Sequence, residues 1–246
     1  MLKNNDIHIR DPFVLPLKEE NQYYLYGTTG PQVWADFATG IDYYTSSDLQ
    51  NWTGPYPAFR PPAGFWADRN FWAPEVHVHN QRYYMFITFK AEGVCRGTQI
   101  LAADSPQGPF LPISDRPITP PDWECLDGTL FVDADHQPWM IFCHEWVQVG
   151  DGEICAVRLS HNLEAAIDQP RVLFRASEAP WAQEISSKNR KGYVTDGPWM
   201  HRLANGELLM LWSSFSKGEY TIGVARSASG GILGTWQQVP DPLYAV

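Results

Sequence analysis

A chain of 246 residues is long enough for one large domain with a sizeable core. Its formal net charge of −10 argues against nucleic acid and anionic membranes as partners, because both reward positive charge. Neutral oligosaccharides remain open, since they bind by stacking and hydrogen bonds; the 11 Trp residues suit sugar platforms and a bulky all-β core equally well.

Met1 to Arg10 carries Lys3, Asp6 and Arg10 and lacks the apolar stretch of a secretory leader. Cys95, Cys125, Cys143 and Cys155 show no metal-type spacing and read as reduced thiols, so a cytoplasmic location is expected. The longest apolar runs, such as Leu208 to Trp212, are of strand length and far too short to span a bilayer.

Short aromatic and β-branched runs alternate with Gly, Pro, Asn and Asp turns throughout, the pattern of an all-β chain. Arg10-Asp11-Pro12 opens the first unit. It is followed by the turn Glu19 to Gln22, the aromatic strand Tyr23 to Tyr26, and an outer strand Ile41 to Ser47 leading to Trp52. Val33 to Thr39 and Phe59 to Arg69 read as aromatic, Pro/Gly-rich loops able to wall a pocket. The second unit opens near Pro74, turns at Val78 to Gln81, and continues through Tyr83 to Ile87 and Ile100 to Ser105. The third opens at Asp127 in Leu126 to Phe131, turns at Asp133 to His136, and continues through Trp139 to Phe142 and Ile154 to Leu159. The fourth opens at Asp196 in Thr195 to Met200, turns at Ala204 to Gly206, and continues through Leu208 to Trp212 and Ile222 to Ser227.

Units opening near residues 11, 74, 127 and 196 lie 63, 53 and 69 residues apart by subtraction. A four-stranded repeat of this size reads as a β-propeller blade, and residues 1–246 read as a single propeller domain without a linker. A propeller gathers the heads of its innermost strands at one end of a central channel, which would bring Asp11, Asp127 and Asp196 together. Hydrolysis of a glycosidic bond needs such carboxylates, one to donate a proton and one to activate water. Taken singly, each of the three is an ordinary turn residue beside Pro or Gly; their recurrence at blade heads is what points to function. Asp133, Asp135 and Asp151 read as solvated turn acids.

On these segments the chain resembles the glycoside hydrolase family 43 propellers over nearly its whole length. The carriers are Arg10-Asp11-Pro12, Phe71 to Val76, Asp127 to Phe131, and Asp196-Gly197-Pro198-Trp199 followed by Leu208 to Ser214. The resemblance implies inverting hydrolysis of arabinose- or xylose-containing oligosaccharides. Asp11 would be the general base, Asp127 the residue that positions the acid and tunes its pKa, and Asp196 the general acid. Inversion leaves room for a water, so base and acid are expected about 6.5–9.5 Å apart. A neighbouring carboxylate would keep the acid protonated by like-charge repulsion.

Two departures stand out. The family carries Glu where this chain has Asp196, one methylene shorter. Glu145 and Glu184 therefore stay open as alternative acids, as does a chain with no competent acid: a catalytically impaired carbohydrate-binding propeller. The family also has five blades, whereas four repeats are visible here. Pro240 to Val246 reads as the lead-in to a fifth, and an open edge would favour pairing with another copy of the chain.

Trp72, Glu75, His144 and Trp199 are candidate substrate contacts, with Trp34, Trp66 and Trp146 as further stacking candidates. His77 and His79 fall on one strand face, which suits a polar face better than a metal pair. No cofactor is expected to be required, although the resemblance allows a structural calcium or sodium ion in the channel. Phosphorolysis would need a cluster of Arg, Lys and His, and none is evident.

Overall fold

The computed structural model describes residues 1–30, 37–187 and 189–245. The chain divides into two compact units, Met1–Pro121 and Asp122–Val246. It is all-β, and among the described residues each unit holds two antiparallel sheets of propeller-blade form.

In the first unit, one sheet contains β1 (Leu2–Lys3), β2 (Arg10–Leu17), β3 (Gln22–Thr28), β4 (Ile41–Ser46) and β5 (Asn51–Phe59), in the order β1-β5-β4-β3-β2. The other holds β6 (Arg69–His79), β7 (Arg82–Ala91), β8 (Val94–Ala103) and β9 (Leu111–Pro112), in sequence order. In the second unit, β10 (Cys125–Val132), β11 (Pro138–His144), β12 (Glu153–Arg158) and β13 (Arg171–Arg175) form a third sheet. A one-turn helix, α1 (Trp146–Val149), follows β11. The two-stranded ribbon β14 (Ile185–Ser187) and β15 (Arg190–Gly192) precedes the last sheet. That sheet comprises β16 (Asp196–Arg202), β17 (Leu208–Ser216), β18 (Glu219–Ser227), β19 (Gln237–Gln238) and β20 (Tyr244–Ala245).

The four aromatic or apolar runs read from the sequence are the second strand of each sheet, and tight turns lead into them. Asn80 and Gln81 both take positive φ, 47° and 63°, and join His79 to Arg82 in a two-residue hairpin. At the third hairpin Asp133 acts as a turn acid: its Oδ1 accepts the backbone N–H groups of Asp135 and Gln137, at 3.0 and 2.9 Å. The segment read as a lead-in to a fifth blade runs back along the fourth sheet instead. Leu243 N–H donates to Ile222 O at 2.8 Å, and Tyr244 and Ala245 pair with Ile222 and Thr221.

Each unit has its own core. The first is built on Tyr26, Ile41, Phe59, Val76, Met85, Ile87, Phe89 and Phe110, with Phe71 edge-on to Phe89 at 4.7 Å. The second is built on Ile141, Ile154, Phe174, Met210 and Trp212, with Trp181 4.8 Å from Trp212. Trp181 lies so close over Gly223 that a Cβ there would meet its Cζ2 at 1.9 Å. Gly223→Ala is therefore expected to destabilise the chain by about 1–3 kcal/mol through overpacking. Gly231→Ala, whose Cβ would find nothing nearer than 3.6 Å, is expected to stay within about 0.5 kcal/mol. Denaturant midpoints at constant slope check both; equal midpoints would remove the Trp181–Gly223 contact from the account.

A recurrent irregularity at the heads of β2, β6, β10 and β16 positions the candidate residues of each unit. In β2 the register jumps between the pairs Arg10–Thr28 and Phe13–Tyr26, leaving Asp11 and Pro12 in a bulge. The same jump places Ala73 and Pro74 in β6, Asp127 and Gly128 in β10, and Gly197 and Pro198 in β16. The first bulge residue is left-handed every time, with φ of 48°, 45°, 54° and 52° for Asp11, Ala73, Asp127 and Gly197. Asp tolerates this region better than most residues, and Pro suits the second position because that residue needs no ladder N–H. Bulges re-aim side chains, and here they turn the strand heads out of the regular pleat.

Candidate active site

In the first unit, Asp11 is an exposed carboxylate on the β2 bulge. Thr28, the strand partner of Arg10, donates from Oγ1 to Asp11 Oδ2 at 3.0 Å. The same Oγ1 accepts Ala73 N–H at 2.8 Å, so the single hydroxyl proton is directed to Asp11. The carboxylate is thus tied through one hydroxyl to the bulge of the next sheet. Beside that bulge, the Arg96 guanidinium lies over one face of Trp72, 4.6 Å from the ring centroid, a cation–π pair on a residue expected to contact substrate. Glu75 Oε2 lies 3.1 Å from His77 Nε2, and Phe13 packs on the same histidine ring at 5.4 Å.

The second unit repeats the plan without the intermediary. Gly197 N–H donates directly to Asp127 Oδ2 at 2.9 Å, joining the bulges of its two sheets. Asp196 sits one residue before its bulge and is partly buried, paired with Ser213. Tyr220 on β18 donates its hydroxyl to Asp196 Oδ2 at 2.9 Å. The phenol is pushed far above its ordinary pKa, chiefly by burial and then by the Asp196 and Asp127 carboxylates. Although the tyrosine is 42% exposed as a residue, its hydroxyl end is the part that lies among these groups. Behind them, burial drives the Cys143 thiol well up, and the same two carboxylates add to it. Asp127 and Asp196 therefore share one neighbourhood, bounded by Cys143, Thr195 and Tyr220.

The remaining expected residues fall as follows. Glu145 is buried, 8% exposed, directly after β11 at the start of α1, with its N–H on Glu124 O at 2.8 Å. Glu184 is exposed in the connection before β14. His144 is held from all sides: Trp123 stacks on it at 4.2 Å, Nδ1 meets Glu153 Oε2 at 3.0 Å, and Nε2 meets Gln148 Oε1 at 2.9 Å. Trp199 is 41% exposed on β16, parallel to His201 at 5.8 Å. Trp66 is a packing residue, its Nε1 bonded to Gln99 Oε1 at 2.8 Å. Trp146 is half-buried in α1. Trp34, with most of the Val33 to Thr39 loop, lies outside the described residues.

Thr28, Ser213 and Tyr220 were not singled out from the sequence. Thr28 and Ser213 are the strand partners of Arg10 and Asp196, residues flanking two bulges, a signal visible only once the register is known.

Among the described residues no group of three or more His, Cys, Asp and Glu side chains is placed to hold a metal ion. No described helix is long and apolar enough to cross a membrane.

Four blade-form sheets with a bulge in β2, β6, β10 and β16, two of the bulges opening on a carboxylate (Asp11 and Asp127) and a third preceded by Asp196, are the pattern of a glycosidase-type propeller chain. The chain belongs to the glycosyl hydrolases family 43, whose model matches residues 6–243. A solved endo-arabinase from Bacteroides thetaiotaomicron is 44% identical with a TM-score of 0.93, covering 99% of this chain and 84% of that one. An extracellular endo-α-(1→5)-L-arabinanase of Bacillus subtilis is 24% identical over 56% of this chain. An extracellular exo-α-(1→5)-L-arabinofuranosidase of Cellvibrio japonicus is 27% identical over 58% of it. These matches take in 44% and 42% of the two curated relatives' lengths.

The expected cytoplasmic location is contradicted by these relatives, both of which are named as extracellular. That expectation leaned on the first ten residues and on four cysteines without paired spacing. The four are unpaired and three of them are buried, and free buried thiols do not report the compartment.

Proposed function

We propose that the protein hydrolyses α-1,5-linked L-arabinofuranosyl oligosaccharides outside the cell, by single displacement with inversion. Asp196 is the general acid, Asp127 holds and tunes it, and Asp11 activates the water. The observation that carries this reading is the carboxylate pair of the second unit. Asp127 and Asp196 act on the same phenol and the same thiol, and Asp127 grips the backbone of the residue next to Asp196. Two carboxylates in one partly desolvated neighbourhood favour retention of a proton on one of them, the state a general acid needs. Asp11 is supported as the base by its motif and by its exposed position, held as an acceptor by Thr28.

Arabinose is favoured over xylose by the names of the three relatives, one of them 44% identical. The test is release of reducing sugar from α-1,5-arabino-oligosaccharides and from β-1,4-xylo-oligosaccharides of equal length. The arabinose series is expected to turn over at least about tenfold faster, a difference of about 1.4 kcal/mol in transition-state binding. Equal rates, or a faster xylose series, would contradict the substrate. Binding without turnover on either would replace the enzyme by a carbohydrate-binding propeller.

A further inference from the structure

We propose that Tyr220 is the positioning residue that sets the orientation of Asp196 and directs its acid proton to Oδ1. The inference rests on the reading of Asp196 as general acid and extends it.

Asp196 opens β16 immediately before a bulge, where the ladder skips from Asp196–Ser213 to Trp199–Leu211. A short side chain at an irregular strand head has little backbone regularity to aim it. Tyr220 comes from β18, two strands away in the same sheet, and spans β17 diagonally; the pairings Asp196–Ser213 and Phe215–Tyr220 fix that geometry. Its ring lies edge-on to Phe215 at 5.4 Å, so the long side chain is packed before it reaches the carboxylate. Its hydroxyl then donates to Oδ2 at 2.9 Å.

An oxygen that accepts a hydrogen bond from a phenol is the poorer place for a carboxylic proton, so the proton goes to the other oxygen. Burial and the two carboxylates keep the phenol neutral, so it remains a donor at every pH at which the acid works. Ser213, on the strand between, is the strand partner of Asp196 and weakly opposes the rise of the phenol's pKa. Proton transfer is steep in distance and angle, and an Asp has less reach than a Glu, so its orientation must come from a partner.

The test is Tyr220→Phe, which keeps the ring and its packing on Phe215. It is read on two substrates and against pH. On α-1,5-arabino-oligosaccharides, whose leaving group must be protonated, kcat is expected to fall about ten- to a hundredfold. On an aryl α-L-arabinofuranoside with a strongly acidic phenol, whose departure needs little proton, the loss is expected to stay below about threefold. Removing a hydrogen bond to the charged form also raises the acid's affinity for its proton, so the basic limb of the pH profile should move up by about half a unit. An equal loss on both substrates, or an unmoved limb with unchanged rates, would overturn the proposal. Asp196→Asn on the same pair separates the two claims. If it spares oligosaccharide turnover, the acid assignment fails and the proposal with it. If it abolishes turnover while Tyr220→Phe behaves as wild type, only the role of Tyr220 fails.

Discussion

Asp196→Asn is expected to lower turnover of α-1,5-arabino-oligosaccharides by about a hundred- to ten-thousandfold, the usual contribution of a positioned general acid. The substitution is close to isosteric, and its amide oxygen can still accept the Tyr220 hydroxyl that now reaches Oδ2 at 2.9 Å, so the sheet should be undisturbed. What disappears is the acidic proton. An aryl arabinofuranoside with an acidic phenol should therefore lose less than about tenfold, because its leaving group departs as a stable anion. Steady-state kinetics on both substrates, with an unfolding midpoint as control, read the result. Glu145→Gln and Glu184→Gln are the decisive comparisons. Loss of oligosaccharide turnover with Glu145→Gln, and none with Asp196→Asn, would move the acid to the end of β11.

Asp11→Asn should behave differently. Water attack is required whatever the leaving group, so a loss of about a hundred- to ten-thousandfold is expected on the oligosaccharide and the aryl glycoside alike. The fold should again be spared. Asn is among the residues that tolerate the left-handed region, where Asp11 sits at φ 48°, and its oxygen can accept from Thr28. A pH profile of the wild type should be bell-shaped, and Asp11→Asn should remove the acidic limb, which reports the base. A loss confined to the oligosaccharide would assign Asp11 to substrate binding instead.

Much of this architecture was legible in the chain. Aromatic runs behind Asn-, Asp- and Gly-containing turns mark the second strand of every blade, because that strand is packed on both faces and its hairpin needs residues that accept positive φ. Asp11 and Asp127 were legible as turn-type residues beside Pro and Gly, and both take the left-handed position of a bulge.

Their register was not. Asp127-Gly128 and Asp196-Gly197 look alike in sequence, yet the left-handed residue is Asp127 in one and Gly197 in the other. Asp196 is thus the counterpart of Arg10, Trp72 and Leu126, one position before the bulge, and not of Asp11 and Asp127. The signal was the proline. Pro12, Pro74 and Pro198 all occupy the second bulge position, so aligning the prolines would have shown the offset. Tyr220 carried no such mark. It follows the Lys217-Gly218 turn like any exposed strand aromatic, and only pairing across β17 brings its hydroxyl to Asp196.

The central claim is single displacement at an arabinofuranosyl centre by an acid and a base. The most direct test is proton NMR of an α-1,5-arabino-oligosaccharide in the first minutes of digestion, before mutarotation scrambles the new reducing end. The account predicts that the β-anomer appears first and the α-anomer only later. First appearance of the α-anomer would mean retention through a covalent intermediate, and would contradict the roles given to Asp11 and Asp196.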